Sequence, residues 1–163
     1  MQTTSPSDSD ANREEALRLA KENATKTYGS LEKYNVFVCE QPVFWRVLLE
    51  PKDTRANQKG VAYLISKRKS WIVNSHEFPL PSDGTSKERL PGEGVSDRDG
   101  AVAIAKKDAI AAYDSLAPYD LAVCELTKVW IVVYSLKEGL NGGGPEYVID
   151  KRTGRILDKK YYQ

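Results

Sequence analysis

Two stretches with helical periodicity open two similar halves of the chain. In the first half, apolar residues recur at the spacing of one helix face: Ala16, Leu17, Leu19, Ala20, Ala24 and Tyr28. In the second half, the equivalent stripe consists of Ala101, Val102, Ile104, Ala105, Ala109 and Tyr113. Asn12 is the N-cap expected for the first helix, and Ser96 or Asp97 for the second. Both stripes are predicted to face a hydrophobic core.

Short runs of β-branched and aromatic residues follow each helix and predict strands. Their expected bounds are 34–40, 43–50, 60–66 and 70–74, then 119–126, 128–136, 145–150 and 154–158. Residues 129–134 are apolar at every position, which predicts a central strand covered on both faces. The stretch 150–154 predicts a hairpin turn in which Gly154 takes a positive φ. The equivalent turn, 66–70, has no glycine and is interpreted as having diverged.

The two halves are copies of one unit. A shift of 85 positions superimposes 13–47 on 98–132 without a gap and matches, among others, Val38-Cys39-Glu40 with Val123-Cys124-Glu125 and Trp45 with Trp130. After a one-residue slip, Tyr63 and Lys67 match Tyr147 and Lys151. Because one copy buries little apolar surface alone, we expect a shared core. The predicted fold is α+β: two tandem repeats of a helix followed by three to four antiparallel strands, with curved sheet packed on the helices and a pseudo-twofold relation.

The predicted organisation has four segments. Residues 1–11 are expected to be a disordered N-terminus, 12–78 the first repeat and 96–163 the second. Between the repeats, residues 79–95 form a linker rich in proline and glycine, which disfavour regular structure.

Charge and hydropathy exclude several classes of partner. Lys and Arg number 24 against 23 Asp and Glu, so no nucleic-acid partner is expected. No apolar run reaches the roughly 18 residues of a membrane span, so no membrane partner is expected. The start lacks the pattern of a leader, which favours a cytoplasmic location, or a periplasmic one if a leader has been removed. The chain is expected to be a monomer or a weak dimer.

No catalytic residue, metal site or cofactor is predicted. His76 is the single histidine and lies near Pro79 and Pro81, so a solvated loop histidine is favoured over a general base. Cys39 and Cys124 lack the spacing of zinc ligands and are interpreted as small buried hydrophobes, although a disulfide stays open if the fold brings them together.

Three further patterns allow a functional and a structural interpretation. Glu40 and Glu125 recur at one repeat position and are interpreted as solvated strand-end residues rather than an acid/base pair. The glycine-rich run 138–145 leads into a strand and not a helix, unlike a phosphate loop. Two basic–aromatic clusters, at 67–71 and 151–162, are interpreted as charged hairpin tips unless both line one surface.

The second copy carries the motifs of a known family. It contains Trp130 on a strand, the loop Gly143-Gly144-Pro145 and the hairpin Ile149-Asp150-Lys151-Arg152-Thr153-Gly154-Arg155-Ile156. This pattern resembles bacterial immunity proteins with a nuclear-transport-factor-two-like or cystatin-like fold. The resemblance covers roughly residues 97–163, and it implies a protein, not an enzyme, that binds a cognate toxin and neutralises it by occlusion.

The partner face is expected in the first copy, because exposed tryptophan and arginine side chains are common interface anchors. The residues chosen are Arg68, Lys69, Trp71 and His76. Two other functions stay open: a peptidase inhibitor or peptide-binding module of similar topology, and a small-molecule enzyme with a cone-shaped pocket.

Overall fold

The computed structural model describes residues 8–53, 58–81, 97–137, 140 and 143–161. Within these residues, each copy forms one α-helix followed by four strands. The elements of the first copy are α1 (Asp8–Tyr28), β1 (Tyr34–Glu40), β2 (Phe44–Pro51), β3 (Gly60–Ser66) and β4 (Ile72–Phe78). Those of the second are α2 (Arg98–Ala112), β5 (Tyr119–Glu125), β6 (Val129–Leu136), β7 (Pro145–Asp150) and β8 (Ile156–Tyr161).

The chain divides into two compact units. The first unit contains residues up to Lys52 and Val61–Glu77, and the second contains Asp53–Gly60 together with the chain from Phe78 onwards. Each copy has a four-stranded antiparallel sheet, in the order β1-β2-β3-β4 or β5-β6-β7-β8. The α+β class and the pattern of a helix followed by strands are therefore confirmed.

Each helix packs on its own sheet through alanines one turn apart. Ala16, Ala20 and Ala24 lie in a core with Trp45, Val47 and Tyr63 of the first sheet. In the second unit, Ala101, Ala105 and Ala109 pack in the same way on a core that includes Trp130, Val132 and Tyr147. Small side chains every fourth residue let a helix approach a sheet closely. Tyr28 was expected in this stripe, but it is 37% exposed, because it lies at the end of α1, where its ring packs beside Tyr34.

The prediction of a central strand at 129–134 is confirmed. All six residues are buried, and β6 lies between β5 and β7 in the sheet. The equivalent strand β2 is buried over all of its length except Phe44.

Several element ends differ from the prediction. α1 begins at Asp8, within the segment expected to be disordered and ahead of the expected cap Asn12, because 8–12 contain neither proline nor glycine to stop the helix. Asp97 is the cap of α2, where its Oδ1 accepts a hydrogen bond from the Gly100 amide at 2.8 Å. Residues 1–7 and 82–96, which include most of the expected linker, lie outside the described residues.

The last strand of each copy starts two residues later than predicted, because residue 70 or 154 belongs to the preceding turn. β4 then continues to Phe78, so His76 lies on a strand and is partly buried. The expectation of a solvated loop histidine is therefore wrong: the strand extends up to the residue before Pro79, where the missing proline amide ends regular pairing.

The β3–β4 turn keeps the backbone geometry of the β7–β8 turn, although its sequence differs. Ser70 adopts φ 48° and the equivalent Gly154 adopts φ 73°. Three hydrogen bonds from a backbone amide to a backbone carbonyl recur in both turns. Across the turn, the Ser70 amide donates to Ser66 (3.0 Å) as Gly154 does to Asp150 (2.8 Å), and the Ser66 amide donates to Trp71 (3.0 Å) as Asp150 does to Arg155 (2.9 Å). Towards the neighbouring turn, the Lys67 amide donates to Val43 (3.1 Å) as Lys151 does to Lys128 (3.0 Å). The sequence diverged here while the turn did not.

This conserved geometry predicts unequal effects of alanine at the two positions. Gly154→Ala should lower the free energy of unfolding by about 1 kcal/mol, because a Cβ strains the left-handed conformation. Ser70→Ala should change it by less than about 0.5 kcal/mol, since Ser70 already carries that strain. Urea unfolding of both variants measures the difference. Equal losses of the free energy of unfolding in the two variants would contradict the expectation that only Gly154 gains strain from a Cβ.

Candidate functional site

The glutamates that recur in both copies are held in a matching arrangement at the turn end of each sheet. Glu40 Oε1 accepts a hydrogen bond from Lys67 Nζ at 2.6 Å, and Glu125 Oε1 accepts one from Lys151 Nζ at 2.9 Å. Each lysine also lies 4.9 Å from the ring centroid of a tryptophan, Trp45 or Trp130, which is the cross-strand neighbour of the glutamate. The two glutamates are therefore solvated strand-end residues. Each forms an ion pair with a lysine, and that lysine also covers a buried tryptophan ring.

The turns beside this arrangement expose apolar surface in the first unit. We define the turn patch as Pro42, Val43, Arg68, Lys69, Trp71 and Val73. The bond from the Lys67 amide to the Val43 carbonyl brings the β1–β2 and β3–β4 turns together. Trp71 is 54% exposed and Val73 is 49% exposed. Lys69 Nζ lies 4.7 Å from the centroid of the Trp71 ring, a cation–π contact that restricts the exposed ring.

The second unit serves as an internal reference for the turn patch. At the positions of Val43 and Trp71 it has Lys128 and Arg155, in turns with the same backbone hydrogen bonds. The turn therefore folds without an aromatic residue at this position. The exposed tryptophan is therefore a feature of the first unit that the shared turn geometry does not require.

Of the predicted partner-binding residues, the structure brings Lys69 and Trp71 into contact. Arg68 is exposed in the same turn. His76 is separate, because the strand from Ile72 to His76 spans about 13 Å. Pro42, Val43 and Val73 were missed by sequence reasoning, although comparing Val43 with Lys128 across the repeat could have found Val43.

Both cysteines are disulfide-bonded, and neither is free. The disulfide-bonded state, which the sequence left open, therefore replaces the favoured interpretation as small buried hydrophobes. Neither sulfur is therefore available as a thiolate nucleophile.

A second polar cluster, which sequence reasoning did not identify, lies on α2 and β8. The Asp108 carboxylate accepts hydrogen bonds from the hydroxyl of Tyr147 at 3.0 Å, from Lys159 Nζ at 2.9 Å and from the hydroxyl of Tyr161. A register shift opposite Val148 and Ile149 creates this cluster. It places Lys159 opposite Tyr147 in the sheet, so that both reach the helix.

Tyrosine rings extend the cluster past the end of α2. Tyr113 packs edge-on against Tyr119 at 5.7 Å and against Tyr161 at 5.8 Å. The first unit keeps the equivalent pair, Tyr28 and Tyr34, at 6.4 Å. It has Asn23, Ser75 and Glu77 where the second has Asp108, Lys159 and Tyr161, so the charged network belongs to the second unit.

The hydrogen bonds of the cluster shift the pKa values of its members. Those from Tyr161 and Lys159 hold the pKa of Asp108 below its ordinary value. Burial, followed by the bond to Asp108, raises the pKa of Tyr147 well above its ordinary range. The network therefore requires Asp108 ionised and Tyr147 protonated, and it pins β8 to α2.

Removing the Asp108 carboxylate should destabilise the protein. Asp108→Ala is expected to lower the free energy of unfolding by about 2 kcal/mol, because the buried Tyr147 hydroxyl loses its acceptor. The stability from Asp108 is present above its ordinary pKa of 3.8 and is lost as the pH falls through its lowered folded value, so the variant should show a flatter acid limb.

Denaturant unfolding between pH 2 and pH 7 measures both effects. Asn23→Ala, at the equivalent exposed position of α1, is the control and should change stability by less than about 0.5 kcal/mol. Similar losses of the free energy of unfolding in Asp108→Ala and Asn23→Ala would show that the hydrogen-bond network adds nothing to stability.

Two kinds of feature are absent from the described ranges. Within them, no group of three or more His, Cys, Asp or Glu side chains is placed to hold a metal ion. Neither α1 nor α2, as far as the structure describes them, is long and apolar enough to cross a membrane.

Comparison with known proteins assigns no family to the chain. No family model matches it, and no curated protein matches it. A structure that it matches over 88% of this chain and 90% of the other is that of a candidate lipoprotein from Clostridium difficile 630, with 12% sequence identity and a TM-score of 0.28. That score is too low to carry an inference about fold or function.

Proposed function

We propose that this protein binds a cognate bacterial toxin and neutralises it by occlusion, and that the turn patch of the first unit contacts the toxin. The observation that carries the proposal is the exposed Trp71, stacked with Lys69, on a turn that the second unit builds with arginine. Tryptophan anchors account for much of the binding energy in protein interfaces. The cation–π contact restricts the ring before binding and so lowers the entropy lost on association.

The identity of the partner as a toxin rests on the resemblance of the second copy to immunity proteins, through Trp130, Gly143-Gly144-Pro145 and the hairpin at 149–156. Curved sheets and a pseudo-twofold relation between the copies, which the sequence repeat predicts, are part of the same proposal. The disulfide-bonded state of Cys39 and Cys124 supports an oxidising compartment such as the periplasm over the cytoplasm.

A peptide-binding module or peptidase inhibitor is the second candidate. The exposed edge strand β4 favours it, because strands at sheet edges can pair with extended peptides. The reading frame next to the gene separates the candidates: a toxin gene favours neutralisation, whereas a protease gene favours inhibition.

Co-expression tests the proposal. The protein encoded by the adjacent reading frame should arrest growth when produced alone in a bacterial host. Growth should resume when this chain is produced with it, and the two proteins should co-purify as a stable complex. Absence of both rescue and complex would remove the proposal.

A further inference from the structure

The edge of the first sheet differs from the matched edge of the second in the features that normally block strand pairing. β4 and β8 are edge strands at equivalent places in the two sheets. β8 carries Asp158, Lys159 and Lys160. Charges of this kind protect exposed edges from pairing with another chain.

β4 lacks the matching charges. At the positions of Asp158, Lys159 and Lys160 it has Asn74, Ser75 and His76. Val73, Asn74 and Ser75 are all exposed. Because the second unit folds with charges at the matching positions, the fold does not require an uncharged edge here. This difference in charge between the two edge strands indicates that β4 has a binding role that β8 lacks.

We infer that β4 accepts an extended segment of the protein partner, which adds to the first sheet as a fifth strand; the inference rests on the proposed function and deepens it. Backbone hydrogen bonds along an edge strand provide affinity, and side chains on alternate positions provide specificity. The turn patch lies at the start of β4, so a segment on this edge would also reach Trp71.

Charge at the two ends of β4 defines the expected segment. Arg68 and Lys69 precede the strand, and Glu77 is exposed near its end. A complementary segment is therefore acidic where it meets the turn and lacks acidic residues where it meets Glu77. Its middle consists of β-branched or aromatic residues that pair with an uncharged edge.

Peptide selection tests the inference without an identified partner. Random 12-residue peptides displayed on phage are selected on the purified full chain. Enriched peptides should have an acidic end and an apolar, β-branched middle. Hydrogen exchange of the peptide complex should show added protection of those amides within Ile72–Phe78 that point away from β3.

A variant of β4 that carries charges copied from β8 should block pairing with the peptide. Asn74→Asp combined with Ser75→Lys gives β4 two of the charges of β8 and should weaken binding of the selected peptides more than tenfold. Thermal unfolding should be unchanged. The reverse substitution Asp158→Asn on β8 is the matched control and should leave binding unchanged.

The outcomes separate this inference from the proposed function. No enriched peptide, or peptides that leave the exchange of β4 unchanged, would overturn strand addition. So would self-association that the double variant abolishes, because the occupant would then be a second copy of this chain. Failure of the co-expression experiment removes the toxin proposal, whereas the peptide result alone decides strand addition.

Discussion

Gly144→Ala should lower the free energy of unfolding by about 3 kcal/mol or more. A Cβ at this position would overlap the backbone carbonyl oxygen of Tyr134 and lie 2.8 Å from the ring of Tyr119. The carbonyl belongs to the buried strand β6, so it cannot move without disturbing the sheet. Relief would require a shift of backbone, which close-packed interiors resist.

Gly60→Ala is the matched comparison. Gly60 is the counterpart of Gly144 in the repeat and is the first residue of β3, but its Cβ would overlap the end of the Phe78 ring rather than backbone. A side chain can move more easily than a strand, so the expected loss is smaller, about 1–3 kcal/mol. Urea unfolding followed by tryptophan fluorescence measures both. A larger loss at Gly60 than at Gly144 would contradict the distinction between backbone and side-chain overlap.

The repeat explains why so much of the fold could be predicted. Each strand has a counterpart 84 or 85 residues away, so two independent sequences supported the same strand, as they do for β1 and β5. The expected bounds of β1, β2, β3, β5, β6 and β7 therefore agree with the structure to within one residue, whereas β4 and β8 start two residues later than expected, after the turns at Ser70 and Gly154, and end three or four residues later. Positive φ at a serine is a property of the folded turn that composition does not reveal.

The Asp108 network could not be predicted from periodicity. In a regular strand, side chains alternate between faces, and the register shift between β7 and β8 changes that alternation. The signal that was available is divergence: Asp108 and Lys159 differ from their counterparts Asn23 and Ser75. Divergence marks where the copies have separate roles, but only the register shows that these side chains meet.

The structure also shows which of the predicted partner residues lie together in the turn patch. Trp71 and Lys69 were predicted from residue type, and the structure brings them into contact. His76 was grouped with them because the end of β4 was not recognised. Whether Arg68, Lys69 and Trp71 bind a partner stays a prediction.

Trp71→Arg should weaken the complex with the co-expressed partner by more than about 2 kcal/mol, which is roughly a 30-fold increase in Kd. The substitution introduces the residue that the second unit has at the equivalent position, Arg155, so the turn should keep its backbone hydrogen bonds. The free energy of unfolding should therefore change by less than about 0.5 kcal/mol. Titration calorimetry and urea unfolding measure the two quantities on the same protein.

Two further substitutions are compared with Trp71→Arg: one reverses a charge in the turn patch, and the other lies in the matching turn of the second unit. Arg68→Glu should slow association more strongly at low salt than at high salt if the partner surface is acidic, because screening weakens exposed charges. Arg155→Ala, in the matching turn, should leave the affinity unchanged. An affinity for Trp71→Arg equal to that of the native chain would discard the turn patch as the partner surface. Equal losses for Trp71→Arg and Arg155→Ala would show that the second unit contributes as much as the first.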